Sequence, residues 1–224
     1  MNQRSARVTV RGPFIGQSRI LLVADGQASA ILKTPAAVPL WLGTDGLAGD
    51  EQADRQQHGG ADRALCHYTS EGYRHWRQVY PRRAADLDAA AFGENLCSSG
   101  LDEADVCVGD VWRLGEAIIQ VSQPRQPCWK LNARMELPDL GRKIMACGRS
   151  GWLWRVLEPG WVPPAPPMAP LQRDDAGLPI AQFWEWLYAD SVDGAALATA
   201  VEHPALAARW RHRLRARAQH LGVL

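Results

Sequence analysis

Over about the first 120 positions, apolar residues come in short runs broken by Gly, Pro and Asp. Val8-Thr9-Val10, Ile20-Leu21-Leu22-Val23, residues 28–32 and residues 117–121 are β-rich runs. They lie between turn signals such as Asp25-Gly26, Gly43-Thr44-Asp45-Gly46 and Gly49-Asp50. Many short strands with frequent glycines predict a mainly β fold, a barrel or sandwich rather than a doubly wound sheet. Two helices interrupt it. One is expected from Thr69-Ser70 with Ser70 as its cap, carrying Tyr73, Trp76, Val79 and Tyr80 at helical spacing until Pro81. The other follows Pro138-Asp139, with Leu140, Ile144 and Met145 on one face, and stops between Gly148 and Gly151.

The pattern changes after residue 158. Six prolines between 159 and 170 exclude a helix interior or a central strand and predict an extended linker at a domain boundary. Beyond it, residues 180–189, 194–201 and 204–220 are Ala-, Leu-, Trp- and Arg-rich with helical periodicity. Pro179 opens the first, and Asp193 and Glu202 or His203 stand near the caps of the next two. The expected organisation is a β-barrel domain over 1–165 and a three-helix domain over 171–224. The second is too small to be very stable alone, so it should dock on the barrel or on a partner.

A chain of 224 residues can bury a substantial core, and 46% hydrophobic with 22% charged residues is ordinary for a soluble globular protein. A net charge of +1 gives no reason to expect a nucleic-acid or membrane surface. The five cysteines, Cys66, Cys97, Cys107, Cys128 and Cys147, are widely spaced and form no C-x-x-C pair. That disfavours a disulfide framework and a zinc ribbon, and fits a reducing, cytoplasmic setting. Residues 1–7 carry no leader-like apolar core, and no stretch has the length of a membrane span.

Chemistry concentrates in a few places. Cys128 follows Pro124 and Pro127 just beyond an apolar strand, a rigid position from which to present a side chain at a site rim. Arg125 and Lys130 flank it, and nearby positive charge favours a thiolate, which is both a nucleophile and a soft metal ligand. A buried structural cysteine remains the open alternative at this point. Residues 46–63 form a polar loop with glycines near both ends, closing on His58-Gly59-Gly60 and Arg63, where backbone amides could approach an anion. Neither the dinucleotide nor the P-loop spacing occurs in it. Asn95, in Phe92-Gly93-Glu94-Asn95, offers an amide for a heterocycle edge or plain turn chemistry. Lys33-Thr34 offers a cation and a hydroxyl for a phosphate, or a surface lysine. Cys66-His67 lacks a second ligand pair for zinc, and Cys66, Cys97, Cys107 and Cys147 are expected in the core. The arginines at 209, 211, 213, 215 and 217 spread around a helix, which suits a solvated helix or a docking face for an acidic protein rather than DNA.

Taken together, residues 46–65, 92–101, 109–131 and 151–160 resemble the MOSC family, the molybdenum-cofactor sulfurase C-terminal domain, and within it the YiiM type with three helices behind the barrel. The run Gln120-Val121-Ser122-Gln123-Pro124-Arg125-Gln126-Pro127-Cys128 is its most specific part. The resemblance implies a MOSC-type β-barrel holding a molybdenum cofactor (molybdopterin), with Cys128 as the metal ligand. It implies cofactor contacts from Lys33, Thr34, His58, Gly59, Arg63, Asn95, Ser122 and Arg125. Gln56-Gln57 departs from the basic and histidine residues common in the motif. The implied activity is reduction of N-hydroxylated compounds, such as hydroxylaminopurine base analogues, to amines. A proton donor is needed near the leaving oxygen, and His58 is named for it because imidazole exchanges protons near neutral pH. No flavin, haem or iron–sulfur motif is present in the sequence, so a separate electron-donor reductase is expected. The competing reading from another class is a cofactor-binding or sulfur-carrier module with a persulfide on Cys128.

Overall fold

The computed structural model describes residues 8–21 and 26–224. In chain order the strands begin with β1 (Thr9–Arg11), β2 (Phe14–Ile15), β3 (Arg19–Leu21), β4 (Gln27–Ser29), β5 (Thr34–Pro35), β6 (Leu40–Gly43) and β7 (Gly46–Leu47). They continue with β8 (Leu65–Thr69), β9 (Leu96–Ser99), β10 (Val111–Leu114), β11 (Ala117–Pro124), β12 (Trp152–Glu158), β13 (Gly160–Val162) and β14 (Met168–Gln172). The helices are α1 (Arg55–His58), α2 (Ser70–Val79), α3 (Trp129–Met135), α4 (Leu140–Cys147), α5 (Ile180–Tyr188), α6 (Gly194–Glu202) and α7 (Ala208–His220). Part of the run expected as a strand over 20–23, and Asp25 of the expected turn, lie outside the described residues.

Seven strands make a nearly closed mixed sheet in the order β1-β9-β8-β12-β11-β10-β14. Only β8 and β9 run parallel in it. The architecture is thus the mainly β barrel with added helices that the short strands predict. Alternation drives it: along β12, Trp152, Trp154 and Val156 are buried while the residues between them are not. They meet Ile119 and Val121 of β11 across the ladder. Removing an aliphatic side chain of this kind from water contributes about 1.5–3 kcal/mol. The register of β11 against β12 shifts between Val121 and Gln123, a bulge at Ser122 that re-aims the end of the strand.

Three expectations change. The cap of α2 is Thr69, whose hydroxyl accepts from the Gly72 N–H at 2.9 Å, and Ser70 is already the first helical residue. The proline-rich stretch is not a free linker. Its start, β13, pairs with β6, and its end, β14, closes the main sheet against β10, so the sheet runs past residue 165. Proline fits there because β14 is the edge strand, where a missing N–H breaks no ladder. α7 starts at Ala208 rather than at Pro204.

The C-terminal helices share the barrel's apolar core. Phe183, Trp184 and Trp186 of α5 and Trp210 and Leu214 of α7 belong to one buried cluster with Val106, Val121 and Trp152. Polar ties cross the same junction: the Ile180 N–H donates to the Val106 carbonyl at 2.9 Å and the Ala207 N–H to the Ser122 carbonyl at 3.0 Å. Trp184 Nε1 donates to Ser150 Oγ at 2.9 Å.

Candidate functional site

Beyond the bulge, β11 ends at Pro124, and the chain is held to β12's entry by the Arg125 N–H on the Gly151 carbonyl (3.0 Å). Pro127 then delivers Cys128 as the N-cap of α3, a short helix not among the two expected from the sequence in this region. Cys128 lines a cavity of about 540 Å³ enclosed by residues 27–33, the 50–66 segment, the Phe92–Asn95 loop and the start of α7. Gly93, at φ +77°, lets that loop approach the chain so closely that a Cβ there would meet Ile31 at 2.6 Å.

Burial would push the Cys128 thiol up, but hydrogen bonding and charge from His58, the charge of Arg125 and the Leu131 N–H outweigh it. The thiol is lowered to about 7. His58 reaches it from the end of α1, whose N-cap Asp54 accepts from the Gln57 N–H at 3.0 Å. Arg125 is half-buried and donates to the Phe92 carbonyl. Its charge also opposes the burial that raises the pKa of Glu94, a carboxylate satisfied by the Tyr73 hydroxyl (2.8 Å) and the Ala90 N–H (2.7 Å). The other thiols are pushed up by burial, Cys97 to about 12 and Cys107 to about 11. Cys128 is therefore the thiol poised to ionise near neutral pH.

The residues predicted from sequence divide. His58, Arg63, Arg125 and Cys128 line the same cavity. Lys33 lines it too, but in an ion pair with Asp50, the two side chains 7% and 6% exposed. Asn95 also faces it, yet its amide is spent: Nδ2 donates to the Phe14 carbonyl (3.0 Å) and Asp50 Oδ2 (2.8 Å), and Oδ1 accepts from the Cys66 N–H (2.9 Å). It holds the wall rather than a heterocycle. Ser122 is fully buried outside the cavity lining, its hydroxyl 2.6 Å from the Asp62 carbonyl and 2.9 Å from the Leu153 carbonyl, because the bulge turns it away. Thr34 is exposed on β5 outside the cavity. Gly59 lines a smaller neighbouring cavity of about 350 Å³.

The zinc alternative at Cys66-His67 fails on contacts. His67 is wholly buried, stacked on Trp152 at 4.5 Å, with both ring nitrogens hydrogen-bonded, to Ser98 Oγ and Trp154 Nε1. Burial lowers it to about 3, so it stays neutral. Cys66 lines the cavity instead of the core, and Cys147 is exposed. Among the described residues, no group of three or more His, Cys, Asp and Glu could hold a metal by itself.

Sequence reasoning missed Asp50, Gln123 and Arg209. Asp50 was visible only as turn chemistry after Gly49. Gln123 sat inside the most specific motif, but the bulge that faces it to the cavity has no local signal. Arg209 was read among the solvated arginines; it lines the cavity and donates to Gln57 Oε1 at 3.0 Å. Its neighbours are used inside the molecule: Arg211 donates to the His203, Pro204 and Leu206 carbonyls, Arg213 to Gln126, Arg215 pairs with Glu202, and Arg217 donates to the Trp186 carbonyl. No described helix is long and apolar enough to cross a membrane.

The family model for the MOSC domain matches residues 54–167. The chain is 45% identical over 155 residues to Protein YiiM of Escherichia coli (strain K12), covering 69% of each chain. A protein of Gibberella moniliformis named Reductase is 38% identical over 133 residues, 59% of this chain and 24% of that one. The crystal structure of YiiM from Geobacillus stearothermophilus superposes with a TM-score of 0.77 at 36% identity, covering 94% of this chain and 99% of that one.

Proposed function

The chain belongs to the MOSC domain family, and on that footing we propose that it is an oxidoreductase that binds a molybdenum cofactor through Cys128 and reduces N-hydroxylated compounds to amines. Hydroxylaminopurine-type base analogues are the substrates we favour. The observation that carries this reading is the Cys128 thiol, lowered to about 7 beside His58 and Arg125 in the wall of a cavity of about 540 Å³.

The residues present suit such a group. A thiolate is a soft donor, and a single protein ligand suffices for a metal that brings the rest of its coordination shell with it. Arg63, Lys130 and Arg209 face the cavity with no carboxylate ion pair among the described residues, a donor set for the anionic end of a cofactor. The half-exposed indole of Trp129 at the mouth gives a flat apolar face for a heteroaromatic ring.

When bound, the cofactor supplies a two-electron couple, matching R–NH–OH with two electrons and two protons going to R–NH2 and water. Cys128 fixes the reacting centre at the end of the rigid Pro124–Pro127 segment. His58, in contact with the thiol, delivers a proton to the departing oxygen. Arg125, half-buried and anchored on Phe92, favours the thiolate form of Cys128 that would hold the metal. Electrons come from a separate reductase. We place the protein in the cytoplasm, where its five free cysteines would stay reduced.

Metal analysis of protein from a cofactor-producing host tests this. Stoichiometric molybdenum and pterin fluorescence in the parent, lost in a folded Cys128→Ala variant, are expected, with reduction of an N-hydroxylated base by a chemical electron donor. A protein that never takes up molybdenum yet carries a persulfide on Cys128 would instead be a sulfur carrier.

A further inference from the structure

Past Pro124, the partner of Trp152, β11 leaves the ladder. Its last backbone tie to the β12 side is the Arg125 N–H on the Gly151 carbonyl, at 3.0 Å. Pro127 and Cys128 follow within three residues, so the place of the Gly151 peptide helps to decide where the thiol is delivered. That peptide is held from outside the cavity. Its N–H donates to Glu103 Oε1 at 2.7 Å, and its carbonyl accepts a second time, from the Ser150 hydroxyl at 2.9 Å. Ser150 Oγ in turn accepts from Trp184 Nε1 of α5 at 2.9 Å. The same helix also holds Glu103, whose carbonyl accepts from the Ala181 N–H at 2.9 Å. Both lines of hydrogen bonds therefore lead from Gly151 to α5.

Glycine is required at the centre of this arrangement. Gly151 has φ +70°, and a Cβ there would run into the His67 carbonyl of β8. The close approach pins the peptide against the sheet and leaves its orientation to Glu103 and Ser150. Glu103, Ser150 and Trp184 are all buried, so these bonds lie in a low-dielectric interior, where each is stronger and its loss costlier. None of the three lines the cavity of Cys128.

We infer that Glu103, Ser150 and Trp184 are positioning residues for Cys128, through which α5 sets the place of the thiol by way of Gly151 and Arg125. The C-terminal helices then do more than complete the core, because one of them acts on the site from behind the cavity wall. The part this plays in a reaction rests on the reading of Cys128 given above; the positioning itself does not require molybdenum.

Amide hydrogen exchange of the metal-free full chain at pH 6, resolved by NMR, tests it. The reporters are the Arg125 N–H and the Leu131 N–H, which donates to the Cys128 carbonyl at 3.0 Å. Glu103→Ala strands the Gly151 N–H and is expected to speed exchange at both reporters about tenfold. Glu103→Gln keeps an acceptor and is expected to restore the wild-type rates. Ser150→Ala and Trp184→Phe break one link at its two ends, so each should raise exchange and the pair should do no more than either alone. Leu197→Ala, in the apolar core but outside this chain of bonds, lowers stability and is expected to leave both reporters at wild-type rates. Unchanged rates in Glu103→Ala, no rescue by Glu103→Gln, or an equal rise in Leu197→Ala overturns the inference. If Glu103→Ala does not fold, the Ser150 and Trp184 variants decide, and unchanged reporters or additive effects overturn it. In cofactor-loaded protein, Ser150→Ala is expected to lose molybdenum on dialysis faster than wild type. Equal retention beside fast-exchanging reporters also overturns it, because the thiol is then not what these bonds position. A chain that never takes up molybdenum removes the molybdenum reading and leaves the exchange result to decide.

Discussion

Asn95 donates its side-chain amide to Asp50 at 2.8 Å, and through that contact a loop after α2 braces the carboxylate that neutralises Lys33 inside the cavity wall. Asp50 also accepts from the Gly16 N–H at 2.8 Å, so one buried carboxylate ties three separate segments together. Removing it strands a buried ammonium. Asp50→Ala is expected to lose about 3–5 kcal/mol of stability, and Asn95→Ala about 1–3 kcal/mol, read from urea unfolding. A loss below about 1 kcal/mol for Asp50→Ala would mean that the pair is hydrated and contributes little to the wall.

This relationship also explains what was legible in the sequence. Local signals at Cys128, two prolines, a preceding apolar strand and flanking cations, left a reactive and a structural thiol both open, and it was the resemblance of residues 109–131 to the MOSC family that singled it out. Barrel strands could be read locally, from alternation and turns. Asn95 was left open between a heterocycle contact and turn chemistry because nothing local shows that Phe14, Asp50 and Cys66 already use its amide, partners 81, 45 and 29 residues away. Ser122 and Gln123 exchange roles through a single bulge, and a bulge depends on the partner strand β12 rather than on the residues of β11. The proline-rich stretch looked like a linker because proline forbids central strands, but it leaves edge pairing open, and β14 uses that freedom.

Glu103 makes stability depend on pH. It is 3% exposed, accepts from the Gly151 N–H at 2.7 Å, and burial raises its pKa to about 7. The unfolded chain ionises this group from about 4.5, whereas the folded chain keeps the proton until about 7. Its contribution is therefore complete below 4.5 and is lost as pH rises to about 7. Glu103→Gln keeps the acceptor for Gly151 without the charge. Relative to wild type, it is expected to gain stability steadily between those pH values, by about 3 kcal/mol in all, and nothing further above them. A difference between the two proteins that stays flat with pH would place the titration elsewhere.

Trp210 tests the junction between barrel and helices. Its ring packs edge-on against Trp184 at 5.2 Å and Phe183 at 5.8 Å, inside the cluster that includes Val121 and Trp152 of the sheet. Trp210→Ala is expected to cost about 3–5 kcal/mol. Because the core is continuous, sheet and helix signals in circular dichroism should still vanish in one transition. Separate transitions would mean that α5–α7 unfold on their own.

The thiol of Cys128 gives the most direct test of the site. Alkylation by iodoacetamide requires the thiolate, so its rate at Cys128 in metal-free protein should climb through pH 7 and level off above it. Cys66, Cys97, Cys107 and Cys147 are all raised by burial and should react slowly over the same range. His58→Ala removes a hydrogen bond and a charge that favour the thiolate, so the midpoint should move up toward the ordinary thiol value of about 8.5. Arg125 still faces the sulfur in that variant, so the shift should stop short of what burial alone would give. Site-resolved mass spectrometry of the labelled peptides reads each cysteine separately. A midpoint that stays near 7 without His58 would transfer the activation of Cys128 to Arg125 and remove His58 from the proposed proton path.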